Sequence, residues 1–252
     1  MLEYIILGIV QGLTEFLPVS SSGHLVLFAK IFGISGHEVA LSIVLHLGTL
    51  AAVAVFFFRD IYSALRNAFM LWYIVVVTLI TGAIGITGKD FFESLFSSLP
   101  AVCIAWLCTG VLLLITKKFM SQKRSSVTLK DSIVLGVTQA IAIVPGISRS
   151  AMTISTLLFR GLSVRTAFSF SFIVSIPAIL GATLLEAKKI GFAVQGNTAA
   201  LSAGFIASLC AGLAGLWLLK RALIKERFHY FGYYCIGISL GTLGLLSFNL
   251  IR

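Results

Sequence analysis

The amino-acid sequence predicts an all-α integral membrane protein built from two inverted-topology repeats, and three observations predict this class. Of the 252 residues, 58% are hydrophobic and 11% are charged, whereas a soluble domain is about a quarter charged. Apolar stretches long enough for a helix to cross about 30 Å of hydrocarbon recur along the chain. Two further apolar regions are interrupted by polar turns at corresponding places in the two halves, a pattern typical of inverted repeats.

The first element is an interrupted apolar region over residues 1–29. A polar turn that runs from Pro18 to His24 divides it. Irregular backbone at membrane depth persists only where protein or a water-filled cavity surrounds it. We therefore expect a re-entrant pair of short helices with a polar tip. Three spans are predicted to follow, at about 40–58, 68–88 and 98–116.

The second half repeats this order. A second interrupted region, 132–158, is divided by the turn from Pro145 to Ser150, and spans are predicted at about 166–185, 198–219 and 230–251. The two interrupted regions are also alike in sequence: Gly8-Ile9-Val10-Gln11 followed by Pro18 matches Gly136-Val137-Thr138-Gln139 followed by Pro145. We expect a first repeat over 1–120 and a second over 130–252, in one membrane domain of about ten helices. Three spans in each unit would invert the second copy, so the two tips would meet at a shared site.

The basic residues predict the orientation and exclude nucleic acid as a partner. The net charge is +10, but the cations lie in short loops between apolar segments rather than along one face. With the first re-entrant pair opening outward, 13 of them lie in the inside segments 59–66, 117–130, 160–165 and 220–227, and five lie outside. This bias predicts a multi-pass protein with both termini outside. The partners expected from charge alone are membrane lipids.

Two charged residues lie inside apolar segments. Glu15 is the one acidic residue deep in such a segment, and Arg149 is the one basic residue. Charges at membrane depth are costly and usually line a functional cavity. One alternative is that the two pair only to lock the halves together, but many polar groups share their two tips.

The types of these polar residues favour a phosphate substrate. Arginine offers a planar fork of donors, and glycine with amides at a helix start forms a nest for anions. The carboxylate of Glu15 and the amide oxygen of Gln11, four residues apart on one helix face, suit Mg²⁺ or Ca²⁺. His46 is isolated in an apolar span, and His37 and His229 are expected in solvated loops, so no catalytic role is predicted for them. The candidate site residues are Gln11, Glu15, Ser20, Ser21, Ser22, His24, Gly146, Ser148, Arg149, Ser150 and Thr153.

Two motifs resemble those of a known family, the undecaprenyl-diphosphate phosphatases of the bacitracin-resistance type. Residues 11–24, Gln-Gly-Leu-Thr-Glu-Phe-Leu-Pro-Val-Ser-Ser-Ser-Gly-His, resemble the family's (Glu/Gln)-x-x-x-Glu motif with its serines and histidine. Residues 145–153 resemble its Pro-Gly-x-Ser-Arg-Ser-x-x-Thr motif, and 168–177 is also similar to a family segment. Many members carry Glu where this chain has Gln11.

The resemblance implies a hydrolase of a phosphoric anhydride that converts undecaprenyl diphosphate to the monophosphate. It would recycle the lipid carrier for cell-wall synthesis and confer bacitracin resistance, in the bacterial plasma membrane, with a divalent cation and an active site toward the outer face. The sequence does not determine whether the protein forms a homo-oligomer.

The residues leave the nucleophile undecided. Either Ser21 attacks with His24 as its base, or His24 attacks and Ser21 binds phosphate. Arg149 with Ser148, Ser150, Thr153, Ser20, Ser22 and Gly146 would bind phosphate, and Glu15 with Gln11 would bind the cation. Two other classes are a polyprenyl-lipid flippase, since inverted repeats with broken helices also build transporters, and an intramembrane serine protease, which leaves Arg149 and Glu15 without a use.

Overall fold

The computed structural model describes residues 1–32, 39–189 and 197–248, and its regular structure within these ranges is helical. Twelve α-helices and one 3₁₀ turn, Lys117–Phe119, occur there, and no strand is formed beyond an isolated bridge between Arg124 and Leu162. The helices are α1 Leu2–Phe16, α2 Ser21–Phe32, α3 Val39–Phe56, α4 Phe58–Leu65, α5 Ala68–Thr87, α6 Lys89–Phe96, α7 Leu99–Thr116, α8 Leu129–Ile141, α9 Arg149–Phe159, α10 Val164–Lys189, α11 Thr198–Ile224 and α12 Tyr230–Ser247. The all-α class is confirmed.

The protein is a multi-pass membrane protein. Five of the described helices are long and apolar enough to cross a membrane: α5, α7, α10, α11 and α12. A sixth span is formed if α3 is counted with α4, which follows it after a bend of 78°. These six positions correspond to the six predicted spans, except that residues 249–251 of the last one lie outside the described ranges.

The chain has more helices than the ten or so expected from its sequence. The two additional ones, α4 and α6, have eight residues each and lie where loops were predicted. Both mix charged residues with apolar ones and bury one side chain, Ala64 in α4 and Phe92 in α6. A count of apolar spans misses such short amphipathic helices, because their stability comes from that one-sided burial.

Both interrupted regions break at the predicted turns. Residues 17–20 separate α1 from α2, and Ser20 has a positive φ of 67°. Residues 142–148 separate α8 from α9, and there Gly146 has a φ of +96°.

Small residues set the closest helix crossings. A Cβ atom on Gly12 of α1 would lie 2.5 Å from the carbonyl oxygen of Ser208 in α11. A Cβ atom on Gly136 of α8 would lie 2.8 Å from Cβ of Ile80 in α5, where Thr81 Oγ1 also donates to Gly136 O at 3.0 Å. Close backbone approach of this kind is how membrane helices gain packing energy.

The core contains a chain of four phenylalanine rings. The ring of Phe16 is 5.5 Å from that of Phe172, which is 5.4 Å from Phe57 and 5.2 Å from Phe168. Phe57 and Phe168 also line a cavity of about 520 Å³. The charged residues that line this cavity are Asp60, Arg165, Lys220 and Glu226. The chain of rings therefore runs from Phe16, the residue after Glu15, to a cavity at the loop end of the helices.

A buried carboxylate ties the two ends of the α8–α9 region together. Asp131 is fully buried and accepts from Arg124 Nη1 at 2.7 Å, Arg124 Nη2 at 3.0 Å and Arg160 Nε at 2.9 Å. Burial alone would raise the pKa of Asp131, but the hydrogen bonds from Arg124, Thr128 and Arg160 outweigh it and lower the pKa to about 2. The same carboxylate completes a capping box with Thr128 at the start of α8.

Candidate active site

The helix α7 holds both polar turns. Trp106 Nε1 donates to the carbonyl oxygen of Val19 in the first turn at 2.9 Å. One helical turn further on, Thr109 Oγ1 donates to the carbonyl oxygen of Gly146 at 3.0 Å and accepts from Ser148 N at 3.2 Å. Because the two anchors are three residues apart on one helix, the two turns lie side by side.

The turns also bond to each other directly. The amide of Gly146 donates to Ser20 Oγ at 3.1 Å. A Cβ atom at position 146 would lie 2.5 Å from Val102 O, and its φ of +96° is strained for any other residue. Only glycine lets the second turn approach α7 this closely.

The two intramembrane charges meet between the turns. Arg149 Nη2 donates to Glu15 Oε1 at 3.0 Å, and the two side chains are 17% and 9% exposed. The other carboxylate oxygen, Glu15 Oε2, accepts from Ser21 Oγ at 3.0 Å and from Gln11 Nε2 at 3.1 Å. The structure thus brings together a carboxylate, a guanidinium and a serine hydroxyl from both predicted tips.

The remaining predicted phosphate ligands surround this centre but bond largely within the protein. Ser148 Oγ caps α9 by accepting from Ala151 N, and it lies 3.2 Å from Ser150 Oγ. Thr153 Oγ1 donates to Arg149 O at 2.7 Å and lies 2.6 Å from Ser171 Oγ. Ser22 Oγ lies 3.2 Å from Ser20 Oγ. In this arrangement the hydroxyl of Thr153 supports the backbone of Arg149 rather than facing the centre.

His24 is directed away from Ser21. Its Nδ1 lies 2.7 Å from Ser20 O, and its Nε2 lies 2.7 Å from the hydroxyl of Tyr234 in α12. The side chain is buried, 4% exposed. The hydrogen bond between Ser21 and His24 that the first alternative requires is therefore not formed in this structure, and Ser21 donates to the carboxylate of Glu15 instead.

Several residues near the site were not expected from the sequence. His46 Nδ1 lies 3.2 Å from Gln11 Nε2, although no role was predicted for it. Trp106, Thr109 and Tyr234 carry no motif, and the only signal for them is a polar atom within an apolar span.

The prediction that His229 is solvated is wrong. It is 7% exposed, because the rings of Tyr230 and Tyr233 pack against it at 4.5 and 6.5 Å. His37 lies outside the described residues.

The oxygen atoms of Glu15 and Gln11 suit a hard cation that is shared with a phosphate. Gln11 directs its amide nitrogen to Glu15 and His46, so its amide must turn over before its oxygen can share a cation with Glu15. Within the described ranges, no group of three or more His, Cys, Asp or Glu side chains is placed to hold a metal. The residues present therefore fit Mg²⁺ or Ca²⁺ that takes most of its other ligands from a substrate and water, not a cage built by protein alone.

Comparison with known proteins covers nearly the whole chain. Residues 4–241 match the family described as Bacitracin resistance protein BacA. An undecaprenyl-diphosphatase of Thermosipho melanesiensis is 41% identical over 245 residues, which cover 94% of this chain and 96% of that protein. An undecaprenyl-diphosphatase of Syntrophotalea carbinolica is 39% identical over 248 residues, 93% of this chain and 94% of the relative. One from Methanococcus maripaludis is 36% identical over 255 residues, 97% and 100% of the two chains.

Proposed function

The chain belongs to the family of the bacitracin resistance protein BacA, and from this premise we propose that it converts undecaprenyl diphosphate to undecaprenyl phosphate and inorganic phosphate. It is a membrane hydrolase that returns the lipid carrier for cell-wall synthesis and confers bacitracin resistance. One observation assigns this function to particular residues: between the two turns, Glu15 accepts hydrogen bonds from both Ser21 and Arg149.

The diphosphate binds between the turns while the polyprenyl tail stays in the bilayer. Arg149 uses Nη2 for Glu15, and the rest of its planar fork is suited to phosphate oxygens. Arg149 is also the first residue of α9, so the positive end of that helix adds to the attraction for an anion. Ser148, Ser150 and Gly146 shape the wall beside it.

Ser21 is the nucleophile of this proposal, with Glu15 as its base. Ser21 Oγ attacks the terminal phosphorus, its proton passes to Glu15 Oε2, and the bond from that phosphorus to the bridging oxygen breaks. Undecaprenyl phosphate leaves with the bridging oxygen, to which Glu15 passes the proton. Water then attacks the phosphoserine and gives its hydroxyl to the phosphorus and its proton, by way of Glu15, to the Ser21 oxygen, so that inorganic phosphate leaves. The distance of 3.0 Å from Ser21 to Glu15 supports this pairing.

A base role for His24 requires its ring to leave both present partners. Its nitrogens lie 2.7 Å from Ser20 O and Tyr234 OH, so neither is directed at Ser21. The same rearrangement is required if His24 itself attacks the phosphorus. The two assignments differ in the residue that becomes phosphorylated, serine or histidine.

A divalent cation completes the proposed site. Mg²⁺ or Ca²⁺ would be held by Glu15 together with the substrate, and by the amide oxygen of Gln11 once that amide, whose nitrogen now faces Glu15, has turned over. When bound, it would offset the negative charge that develops on the phosphoryl group and the leaving oxygen.

Two inverted repeats, over 1–120 and 130–252, account for the helix packing. The first helix of the first half, α1, packs against α11 of the second half, and the first helix of the second half, α8, packs against α5 of the first. The helices α7 and α12, which end the two halves, pack against each other. This exchange supports a pseudo-twofold axis, with re-entrant pairs α1–α2 and α8–α9 meeting at it. The site would open to the outer face of the plasma membrane, with both termini outside.

The test is phosphate release from undecaprenyl diphosphate by the purified protein in detergent. We expect release that EDTA abolishes and that Glu15→Ala, Ser21→Ala and Arg149→Ala each abolish. Ser97→Ala, an exposed residue between α6 and α7, is the matched control and should keep full activity. No release by folded wild-type protein, with movement of the lipid across vesicles, would instead identify a flippase.

A further inference from the structure

Tyr234 on α12 and His24 on α2 are joined across 210 positions of the sequence. The hydroxyl of Tyr234 lies 2.7 Å from His24 Nε2. Their rings are stacked, with centroids 5.8 Å apart and planes inclined by 7°. Tyr234 is 48% exposed, so this contact is built at the side of the molecule and not within the charged centre.

The bonds of His24 determine which of its nitrogens carries the proton. The carbonyl oxygen of Ser20 can only accept, so Nδ1, at 2.7 Å from it, must be the donor. In a neutral imidazole the other nitrogen is then an acceptor, and Tyr234 donates to it. The Trp106 ring system packs edge-to-face with His24, with ring centroids 5.3 Å apart, and restricts the imidazole from a further side.

The acceptor of the His24 bond is the strained residue of the first turn. Ser20 has a φ of 67° without being glycine, and such a conformation persists only where its surroundings hold it. His24 holds its carbonyl through its backbone amide at 3.3 Å and, at the shorter distance of 2.7 Å, through Nδ1. The amides of Gly23 and Gly146 hold its hydroxyl at 3.3 and 3.1 Å. The next residue, Ser21, begins α2 and reaches Glu15 from that position.

We propose that Tyr234 and His24 are positioning residues for Ser21. Tyr234 donates to Nε2 and fixes the position of the His24 ring, and His24 holds Ser20 in the conformation that directs the Ser21 hydroxyl at Glu15. This proposal rests on the proposed phosphatase function, with Ser21 as the reacting group. In this proposal His24 acts by its hydrogen bond to the carbonyl oxygen of Ser20 and does not take part in the chemical reaction.

The first experiment removes the tyrosine hydroxyl alone. Tyr234→Phe keeps the exposed ring, and we expect kcat to fall about tenfold, equivalent to about 1.4 kcal/mol of transition-state stabilisation, with KM unchanged. Tyr233→Phe, on the neighbouring exposed residue of α12, is the control and should leave kcat unchanged. A Tyr234→Phe enzyme with wild-type kcat would overturn the proposal.

The second experiment distinguishes a positioning role of His24 from a role in the chemical reaction. The side-chain amide of Asn can donate to Ser20 O from near the position of His Nδ1 but has no counterpart of Nε2. His24→Asn should therefore keep at least about a tenth of the wild-type kcat, whereas His24→Ala should lose about a hundredfold or more. Equal, near-complete loss in both would overturn the proposal, because it would show that the ring itself reacts.

Nitrogen NMR of protein labelled at histidine gives a readout independent of turnover. The wild-type His24 signals should show the Nδ1-protonated form, and Tyr234→Phe should keep that form but shift the Nε2 signal, because this nitrogen loses the hydrogen bond from the tyrosine hydroxyl. A wild-type ring protonated at Nε2 would overturn the proposal, even if a variant failed to fold. If wild-type protein released no phosphate, the proposed function would fail, and the NMR result would still decide how His24 is held.

Discussion

At Arg149 the shape of the guanidinium is as important as its charge. In the described part of the chain its side chain makes one hydrogen bond, from Nη2 to Glu15, so two edges of the fork remain for the phosphates. Lysine would keep the charge but place a single point donor in the same position.

We therefore expect Arg149→Lys to lower turnover by roughly a hundred- to a thousandfold, the loss seen when a transition-state donor is removed. Phosphate release under saturating substrate measures it, with the thermal unfolding midpoint as a check on folding. Near-normal turnover would show that the fork does not bind the phosphates.

Gln11 offers a test of the cation site that adds a ligand instead of removing one. Gln11→Glu would place a second carboxylate beside Glu15, four residues away on α1, within reach of His46. We expect the variant to remain active and to need less Mg²⁺ or Ca²⁺ for half-maximal release, because a carboxylate binds these ions more strongly than an amide. Loss of activity in a folded Gln11→Glu protein would contradict the assignment of this pair to the cation.

At the scale of elements, the crossing of α1 and α11 depends on glycine. Gly12→Ala would place Cβ 2.5 Å from Ser208 O and 2.8 Å from Ala211 Cβ, both on α11. We expect the unfolding free energy to fall by about 1–3 kcal/mol, as for other overpacked contacts. Gly241→Ala on α12, which meets nothing within 4 Å, is the matched control and should unfold at or above the wild-type temperature. Similar midpoints for the two variants would mean that the helices are not closely packed at Gly12.

The lowered pKa of Asp131, which joins the ends of α8 and α9, predicts how the stability of the fold depends on pH. The folded pKa of Asp131 is about 2, below the value near 3.9 of an unfolded chain. Its stabilisation, about 2 kcal/mol by linkage, is complete above pH 5 or so and is lost as the pH falls from about 4 to about 2.

Asp131→Asn should therefore lower the thermal unfolding midpoint at pH 7, and the gap to wild type should close by about pH 2. The control is Glu93→Gln, which removes a carboxylate that is 54% exposed in its pairs with Lys89 and Lys189, and it should change little. A gap for Asp131→Asn that is constant with pH would contradict the assigned pKa.

The positions of the helices and breaks could be predicted because they depend on local sequence. Proline, serine and glycine at 18–24 and 145–150 interrupt apolar runs, and both interruptions are present in the structure. The helices α4 and α6 could not be predicted in this way, since their apolar residues gain stability only from partners elsewhere in the chain.

In the candidate site, too, the residues marked by the local sequence could be predicted, and their partners from other helices could not. Glu15 and Arg149 stand out as the charges within apolar segments, and they meet at 3.0 Å. The partners of His24 and Gln11, which are Tyr234 and His46, come from other helices. No local pattern in the sequence indicates which face of α12 or α3 will reach the turns.

At the scale of the whole molecule, the proposed orientation can be tested with two added cysteines. In a protein whose four native cysteines are replaced, Ser125→Cys lies in the basic segment 117–130 and Ser97→Cys lies after α6, and both positions are exposed. A membrane-impermeant maleimide added to intact cells should label position 97 and not position 125, because the cation bias places 117–130 inside. Inside-out vesicles should give the opposite pattern, and labelling of position 125 in intact cells would reverse the topology.

The chain of phenylalanine rings from Phe16 to Phe57 and Phe168 has a consequence for the leakage of protons through the membrane. A cleft that admits a charged lipid headgroup brings water deep into the bilayer, and a continuous file of water would conduct protons. Hydrocarbon rings offer water no hydrogen-bond partner, and apolar constrictions of this kind dewet. If the proposed site opens to one face of the membrane, these rings would interrupt such a file of water, and the enzyme could admit its substrate without discharging the proton gradient.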